Sequence, residues 1–171
     1  DCFPVSENWI ANMSAHLFNY EIVLGISPYK ATKVSLLSDI QHYETTQTYL
    51  QYIAFANAGI PYLCVGRNVM VTKSLYQKIQ WNDADFSLAS GDDDLMIQQL
   101  ANMHNTNTCV FSDSFTYSKP KNTYMDWCKQ KLRHYTTGTK YKLKHQVLLA
   151  LFLWSKFCVY VAFLICFFQT R

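Results

Sequence analysis

Three consecutive carboxylates, Asp92, Asp93 and Asp94, open an amphipathic stretch in "SGDDDLMIQQLA", residues 90–101. Adjacent like charges make each carboxylate harder to ionise, so one of them can reach the raised pKa that a general base needs. A purely structural interpretation also fits, because Ser90 can cap a helix with Asp93 at its third position, where negative side chains favour the helix dipole. The triplet alone leaves both interpretations open.

The stretch "QKLRH" places polar side chains on one face of a predicted helix. Gln130, Arg133 and His134 fall at positions i, i+3 and i+4, and Trp127 precedes them by nearly one turn. A guanidinium group can bind a phosphate through two parallel hydrogen bonds. Taken alone, these residues fit a solvated basic face with the indole packed inward at least as well.

Composition limits the classes of function. The chain has 171 residues, enough for one domain with a hydrophobic core, and its net charge of +3 is too small to indicate nucleic acid as a partner. Its six cysteines form no CxxC pair and show no zinc spacing, which indicates reduced thiols in a cytosol-facing protein.

The strongest compositional signal is the apolar stretch from Val147 to Phe168. Its length of about 22 residues corresponds to roughly 33 Å of helix, which matches the hydrocarbon core of a bilayer. Lys156 interrupts it at a cost of about 2.5–3.5 kcal/mol, which the surrounding apolar residues can offset. The basic residues of 140–145 predict that the preceding domain is cytoplasmic. A buried core helix or an interfacial helix is the alternative.

Periodicity and capping signals predict a mixture of strands and helices, and therefore an α/β fold. Gly59 stands where the first long helix should end, and Thr123 forms a capping box with Asp126. The predicted strands cover residues 20–26, 108–111 and 115–117, together with two halves of 62–72 on either side of a kink at Gly66. The predicted helices are a short helix that Ser6 can cap and helices over residues 35–58, 74–80, 91–104 and 124–136.

The combination of an acidic pair opening a helix, a Q-x-x-R helix, a basic stretch and an apolar span resembles the membrane-bound family 2 glycosyltransferases. Larger members of that family include cellulose, chitin and hyaluronan synthases. Its [ED]-D motif supplies the catalytic base, and its Q-x-x-R-W motif serves the acceptor and the donor diphosphate. The resemblance therefore implies Asp93 as the base beside Asp92, with Gln130 and Arg133 binding the substrate and its diphosphate.

Two further stretches are similar to the same family. The opening "DCFPVSENWI" looks like the sequence that follows the family's D-x-D metal motif, which implies that Asp1 binds Mg²⁺ or Mn²⁺. Residues 65–76 resemble the G-x-N segment, which implies substrate-binding roles for Gly66 and Asn68. We expect the chain to begin inside the D-x-D motif and to be inactive without the nucleotide-binding strands before it.

The family's tryptophan after Q-x-x-R is replaced here by His134, a smaller platform for an acceptor sugar. The resemblance places His134 and Trp127 among the substrate-binding residues. The smaller side chain argues against a processive polymer synthase and favours the transfer of one or a few sugars.

Together these features imply the C-terminal half of a GT-A type domain in residues 1–145 and a transmembrane segment in 146–171. The expected activity is that of an inverting hexosyltransferase of bacterial polysaccharide biosynthesis, moving a sugar from a nucleotide-sugar donor to a glycan or lipid-linked acceptor. The expected location is the inner membrane, with no nucleic-acid partner. A processive synthase and a non-catalytic membrane-anchored interaction domain are the alternatives. A polymerase-type GDD is disfavoured because that motif lies in a hairpin between apolar strands.

Overall fold

The computed structural model describes residues 2–30, 35–81 and 91–169, and it mixes helices with short strands, as predicted. The strands are β1 (Cys2–Pro4), β2 (Ile22–Leu24), β3 (Val69–Val71), β4 (Thr106–Thr108) and β5 (Thr116–Ser118). The helices are α1 (Trp9–Ala15), α2 (Leu36–Asn57), α3 (Lys73–Tyr76), α4 (Asp92–Leu100), α5 (Tyr124–Gly138) and α6 (Leu143–Gln169).

The central sheet has the order β3-β2-β4. Strand β2 pairs antiparallel with β3, where Val23 faces Met70, and parallel with β4, where Val23 faces Asn107. All three residues of β2 are fully buried, which explains its continuous apolar sequence. The strand predicted at residues 20–26 is thereby confirmed as the middle of the sheet. Strands β1 and β5 form a separate antiparallel pair.

Helix α2 has the ends that the sequence predicts. The Ser35 hydroxyl accepts the Ser38 amide at 3.1 Å, and Gly59 follows the helix with a φ of +80°. Tyr52 anchors the helix in the core, because its buried hydroxyl donates to the Gly25 carbonyl at 2.6 Å. These contacts fix α2 beside the central sheet.

Several predicted elements have other bounds in the structure or are not formed, and the helix predicted at 74–80 ends at Tyr76. Residues 62–65 form no strand, because Tyr62 packs in the core and its carbonyl accepts the Gln98 side chain at 2.7 Å instead of a ladder partner. The acidic helix ends at Leu100 rather than at residue 104, because the Asn105 side chain donates to the Leu100 carbonyl at 2.9 Å. The strand predicted at 108–111 is β4, which lies two residues earlier.

Helix α6 is one continuous helix of 27 residues, long and apolar enough to cross a membrane. Its most apolar 18 residues are not buried inside the fold. Its middle lies beside α2, where Phe55 meets Phe152 edge-on at 6.3 Å and the hydroxyls of Tyr43 and Tyr160 are 2.8 Å apart. The Lys156 ammonium lies 4.5 Å from the centre of the Phe152 ring. The predicted boundary at residue 145 falls inside the first turn of this helix.

Candidate active site

The acidic helix begins differently from the capped start that the sequence predicts. Gly91, with a φ of +96°, occupies the N-cap position, so Asp93 is the second helical residue rather than the third. Ser90, the predicted cap, lies outside the described residues. The helical rotation gives the three carboxylates different surroundings, because Asp92 is exposed, Asp93 is half-buried and Asp94 is buried.

Gly91 also allows the close approach of helix α5. A Cβ atom added at this residue would collide with the side chain of Thr137, which is fully buried. The C-terminal half of α5 therefore packs directly on the start of α4. This contact brings the helix of the Q-x-x-R motif against the helix of the acidic motif.

The Asp93 carboxylate is held by the loop that precedes β3. Its Oδ2 atom accepts the backbone amide of Gly66 at 2.6 Å, and a Cβ atom at Gly66 would lie only 2.7 Å from that oxygen. The Cys64 thiol donates to the Asp93 carbonyl at 3.7 Å. Burial raises the pKa of Asp93, the Gly66 amide lowers it, and the charge of Asp92 raises it further. The net result is a raised pKa, the direction that a general base requires.

Asp94 has partners of its own. The Tyr141 hydroxyl donates to its Oδ2 atom at 2.6 Å. Burial and the charge of Asp93 raise the pKa of Asp94 to about 7, although the bonds from Tyr141 and the Cys64 amide act in the opposite direction. Asp94 therefore does more than add charge beside Asp93, because it ties α4 to the segment that follows α5.

Asn68 is buried and its side chain bonds to the protein at both ends. Its Nδ2 donates to the carbonyls of Ile26 and Ser114 at 2.7 and 2.8 Å, and its Oδ1 accepts the Trp9 indole at 3.0 Å. In this structure Asn68 fixes the conformation of the loop that carries Gly66.

Arg67, between Gly66 and Asn68, was missed by the sequence interpretation. Its guanidinium group donates to the Ser118 hydroxyl and lies 5.2 Å from the centre of the Tyr29 ring. Its carbonyl accepts the Cys2 thiol at 3.9 Å, which places the N-terminal strand beside this loop. The only sequence signal was its position as the middle residue of G-x-N.

His134, on the Q-x-x-R helix, has a pKa that the charge of Asp93 affects. Burial lowers the pKa of His134, as do Arg133 and Lys131, while the Asp93 carboxylate raises it and Arg67 adds a small lowering effect. The pKa of His134 therefore responds to charges from both predicted motifs.

The other predicted residues of α5 have different surroundings. Arg133 is exposed, and the buried carbonyl oxygen of Gln130 finds no hydrogen-bond partner among the described residues. The Trp127 indole donates to Glu44 on α2 at 3.0 Å, and Lys131 forms an ion pair with the same carboxylate at 2.8 Å. Trp127 thus faces α2, and the structure does not bring it to Asp93.

The predicted metal ligand, Asp1, lies outside the described residues. Within residues 2–30, 35–81 and 91–169, no group of three or more His, Cys, Asp or Glu side chains is placed to hold a metal ion.

Comparison with protein families gives a match over almost the whole chain. The profile of the glycosyl transferase family group 2 matches residues 5–170, a range that includes the acidic triplet, the Q-x-x-R helix and all of the apolar helix. No curated protein matches the chain in sequence. The match covers almost the whole chain, and the chain therefore belongs to the family 2 glycosyltransferases.

Proposed function

We propose that this protein is an inverting hexosyltransferase that moves a sugar from a nucleotide-sugar donor to a glycan or lipid-linked acceptor, with Asp93 as the general base. One observation carries the proposal. The Asp93 carboxylate has a raised pKa and is held by the Gly66 amide where α5 meets the start of α4.

The chemistry suits a carboxylate in this position. The acceptor hydroxyl attacks the anomeric carbon while the bond from that carbon to the diphosphate oxygen breaks, which inverts the configuration. The hydroxyl proton passes to the Asp93 carboxylate, and a raised pKa favours that transfer near neutral pH. Asp92, exposed beside it, contributes a like charge that raises the pKa of Asp93 further.

The diphosphate leaving group needs positive charge and hydrogen-bond donors. Arg133 is exposed on α5 and can bind two phosphate oxygens at once. Gln130 lies one turn earlier, and His134, whose pKa responds to the charge of Asp93, would line the acceptor site. Trp127 would serve the substrate only through its effect on α5, since its indole is bonded to Glu44.

A divalent metal fits the diphosphate chemistry. Mg²⁺ or Mn²⁺ prefers oxygen ligands, which Asp1 and the diphosphate would provide, and the metal would neutralise charge that develops on the leaving group. The described residues contain no cluster of ligands that could hold this metal, so Asp1 is the ligand that we propose.

We further propose that residues 146–171 cross the inner membrane of a bacterium and that residues 1–145 form the acceptor and base half of a catalytic domain on its cytoplasmic side. The exposed apolar surface of α6 supports the span, and the lysines at its N-terminal end favour this orientation. The contacts of Phe152 and Tyr160 with α2 place part of α2 alongside the proposed span. His134 in place of a tryptophan supports the transfer of one or a few sugars rather than processive synthesis. The contact between Gly91 and Thr137 argues against a non-catalytic interaction domain, which would leave the two motifs on separate surfaces.

Binding of nucleoside diphosphates tests this proposal. The full-length protein in detergent is titrated calorimetrically with UDP, GDP, CDP, ADP and dTDP in the presence of Mg²⁺. We expect at least one to bind, and Arg133→Lys to weaken its affinity by about tenfold or more, because lysine cannot form the two parallel bonds. Lys129→Arg, an exposed change on the same helix, is the matched control. Failure of the wild-type protein to bind any of the five would contradict the proposal.

A further inference from the structure

Helix α4 is bonded along one side to the segment that leads into the apolar helix. We call residues 139–145 the connector. They comprise the link that follows α5 and the first three residues of α6. Contacts with α4 recur from the end of α5 through the connector at helical spacing. The three contact pairs are Gly91 with Thr137, Asp94 with Tyr141, and Gln98 with His145.

The polar members of these pairs are buried. Asp94 and Tyr141 are each 8% exposed, and Gln98 and His145 are each 4% exposed. Buried polar groups bond strongly in a low-dielectric interior and are costly to leave unpaired. These pairs therefore specify a single arrangement of α4 on the connector, which an apolar contact would not do.

Both polar atoms of the Gln98 side chain form hydrogen bonds. Its carbonyl oxygen lies 2.7 Å from His145 Nδ1 and accepts the Lys142 backbone amide at 3.2 Å. Its Nε2 donates to the Tyr62 carbonyl at 2.7 Å, in the residues that lead to the Gly66 loop. One side chain thus joins α4, the start of α6 and the loop that holds the base.

The residues that form these bonds lie next to Asp93, the proposed base. Asp94 follows Asp93 directly in the helix, and the Cys64 thiol donates to the Asp93 carbonyl within the same loop that supplies the Gly66 amide. A shift of α4 on the connector would therefore move the Asp93 carboxylate away from Gly66. Misplacement of a catalytic group by about 1 Å can cost about a hundredfold in rate.

We propose that Asp94 and Gln98 are positioning residues that lock the acidic helix to the start of α6, and so hold the Asp93 carboxylate at a fixed place relative to the membrane helix. This inference rests on the proposed function only for the identity of Asp93 as the base. The locking itself depends on the contacts with Tyr141, Lys142 and His145.

Two measurements on the full-length protein in detergent test this inference. The first is hydrogen exchange of the Gly66 amide, which reports the bond to Asp93. The second is steady-state transfer, which separates kcat from the KM of the donor. The variants are Tyr141→Phe and Gln98→Leu, with Tyr135→Phe as the matched control, because Tyr135 is 71% exposed. Thermal unfolding confirms that each variant is folded.

We expect Tyr141→Phe and Gln98→Leu to speed Gly66 exchange by about tenfold or more and to lower kcat by about tenfold, with the donor KM unchanged within about twofold. Asp94→Asn should keep most of the activity, because its amide oxygen can still accept the Tyr141 hydroxyl, whereas Asp94→Leu should behave like Tyr141→Phe.

Gly66 exchange and kcat equal to those of Tyr135→Phe in both variants would overturn the inference. Equal loss in Asp94→Asn and Asp94→Leu would also overturn it, because it would show that charge matters rather than the bond to Tyr141. The turnover of Asp93→Asn tests the proposed function separately. If Asp93 were not the base, the Gly66 exchange expected for Tyr141→Phe and Gln98→Leu would be unchanged.

Discussion

The acidic and basic sides of the candidate site are built in different ways. On the acidic side, Asp93 and Asp94 accept bonds from the chain itself, from the Gly66 amide and the Tyr141 hydroxyl. On the basic side, Arg133 is exposed and the Gln130 carbonyl finds no partner among the residues that the structure describes. Asp93 and Asp94 are thus held by bonds within the chain, whereas the Arg133 guanidinium group is exposed to solvent.

Substitution of Gly91 tests how closely the two sides are packed. Gly91→Ala forces a left-handed φ on alanine and places a methyl group against Thr137, so we expect a loss of about 3 kcal/mol in stability together with reduced turnover. Gly138→Ala is the control, because a Cβ atom there meets nothing within 4 Å, and it should change stability by less than about 1 kcal/mol. Thermal unfolding of both variants measures the difference. Equal effects would show that the two helices are not in close contact at Gly91.

The acidic side should respond to pH through Asp94. The pKa of Asp94 is about 7 in the folded protein, against an ordinary value of 3.8. Between these two pH values the folded protein keeps a proton on Asp94 that the unfolded protein has released. This contribution to stability is complete below the ordinary pKa and is lost as pH rises to about 7. We expect Asp94→Asn to gain stability relative to the wild-type protein between pH 5 and pH 8, by about 2 kcal/mol.

Unfolding of the two proteins at both pH values measures this change. The charges that act on Asp94, those of Asp92 and Asp93, are present in both proteins, so the difference isolates Asp94. A stability difference that does not vary with pH would show that Asp94 is ionised normally in the folded protein.

The basic side should tolerate loss of its ion pair. Glu44→Gln removes the charge that pairs with Lys131 but keeps an oxygen for the Trp127 indole. Since the two charged side chains are 29% and 32% exposed, we expect a loss of less than about 1 kcal/mol and no change in nucleotide affinity. Unfolding and titration of the variant provide the test. A loss as large as that of Gly91→Ala would remove the contrast between the two sides.

Local signals predicted the elements whose ends are set locally. Ser35 and Gly59 fixed the bounds of α2, and the Thr123 hydroxyl accepts the Asp126 amide at 3.1 Å, as the capping box predicts. The acidic helix was predicted too long because its end depends on Asn105, a side chain beyond the periodic stretch. The strand at 62–65 was wrong because Gln98, distant in sequence, satisfies the backbone there.

In the candidate site, too, local features were predicted and contacts between distant residues were not. Asp93 was predicted from the charge pattern and the family resemblance, because both are properties of a short stretch of sequence. The contacts of Gly66, Tyr141 and Gln98 join residues 27 to 47 positions apart, and no spacing rule predicts them. The metal role of Asp1 stays a prediction, since Asp1 lies outside the described residues.

The turnover of Asp93→Asn, measured beside its affinity for the nucleotide, tests most directly whether Asp93 is the base. The amide keeps the size of the carboxylate and can still accept the Gly66 amide, but it cannot take up a proton. We predict that transfer falls by about 10²–10⁴-fold or more, while nucleotide affinity and thermal stability stay near those of the wild-type protein. Asp92→Asn, measured in parallel, should lose much less. Near-normal turnover in Asp93→Asn would contradict the central claim that this carboxylate is the base.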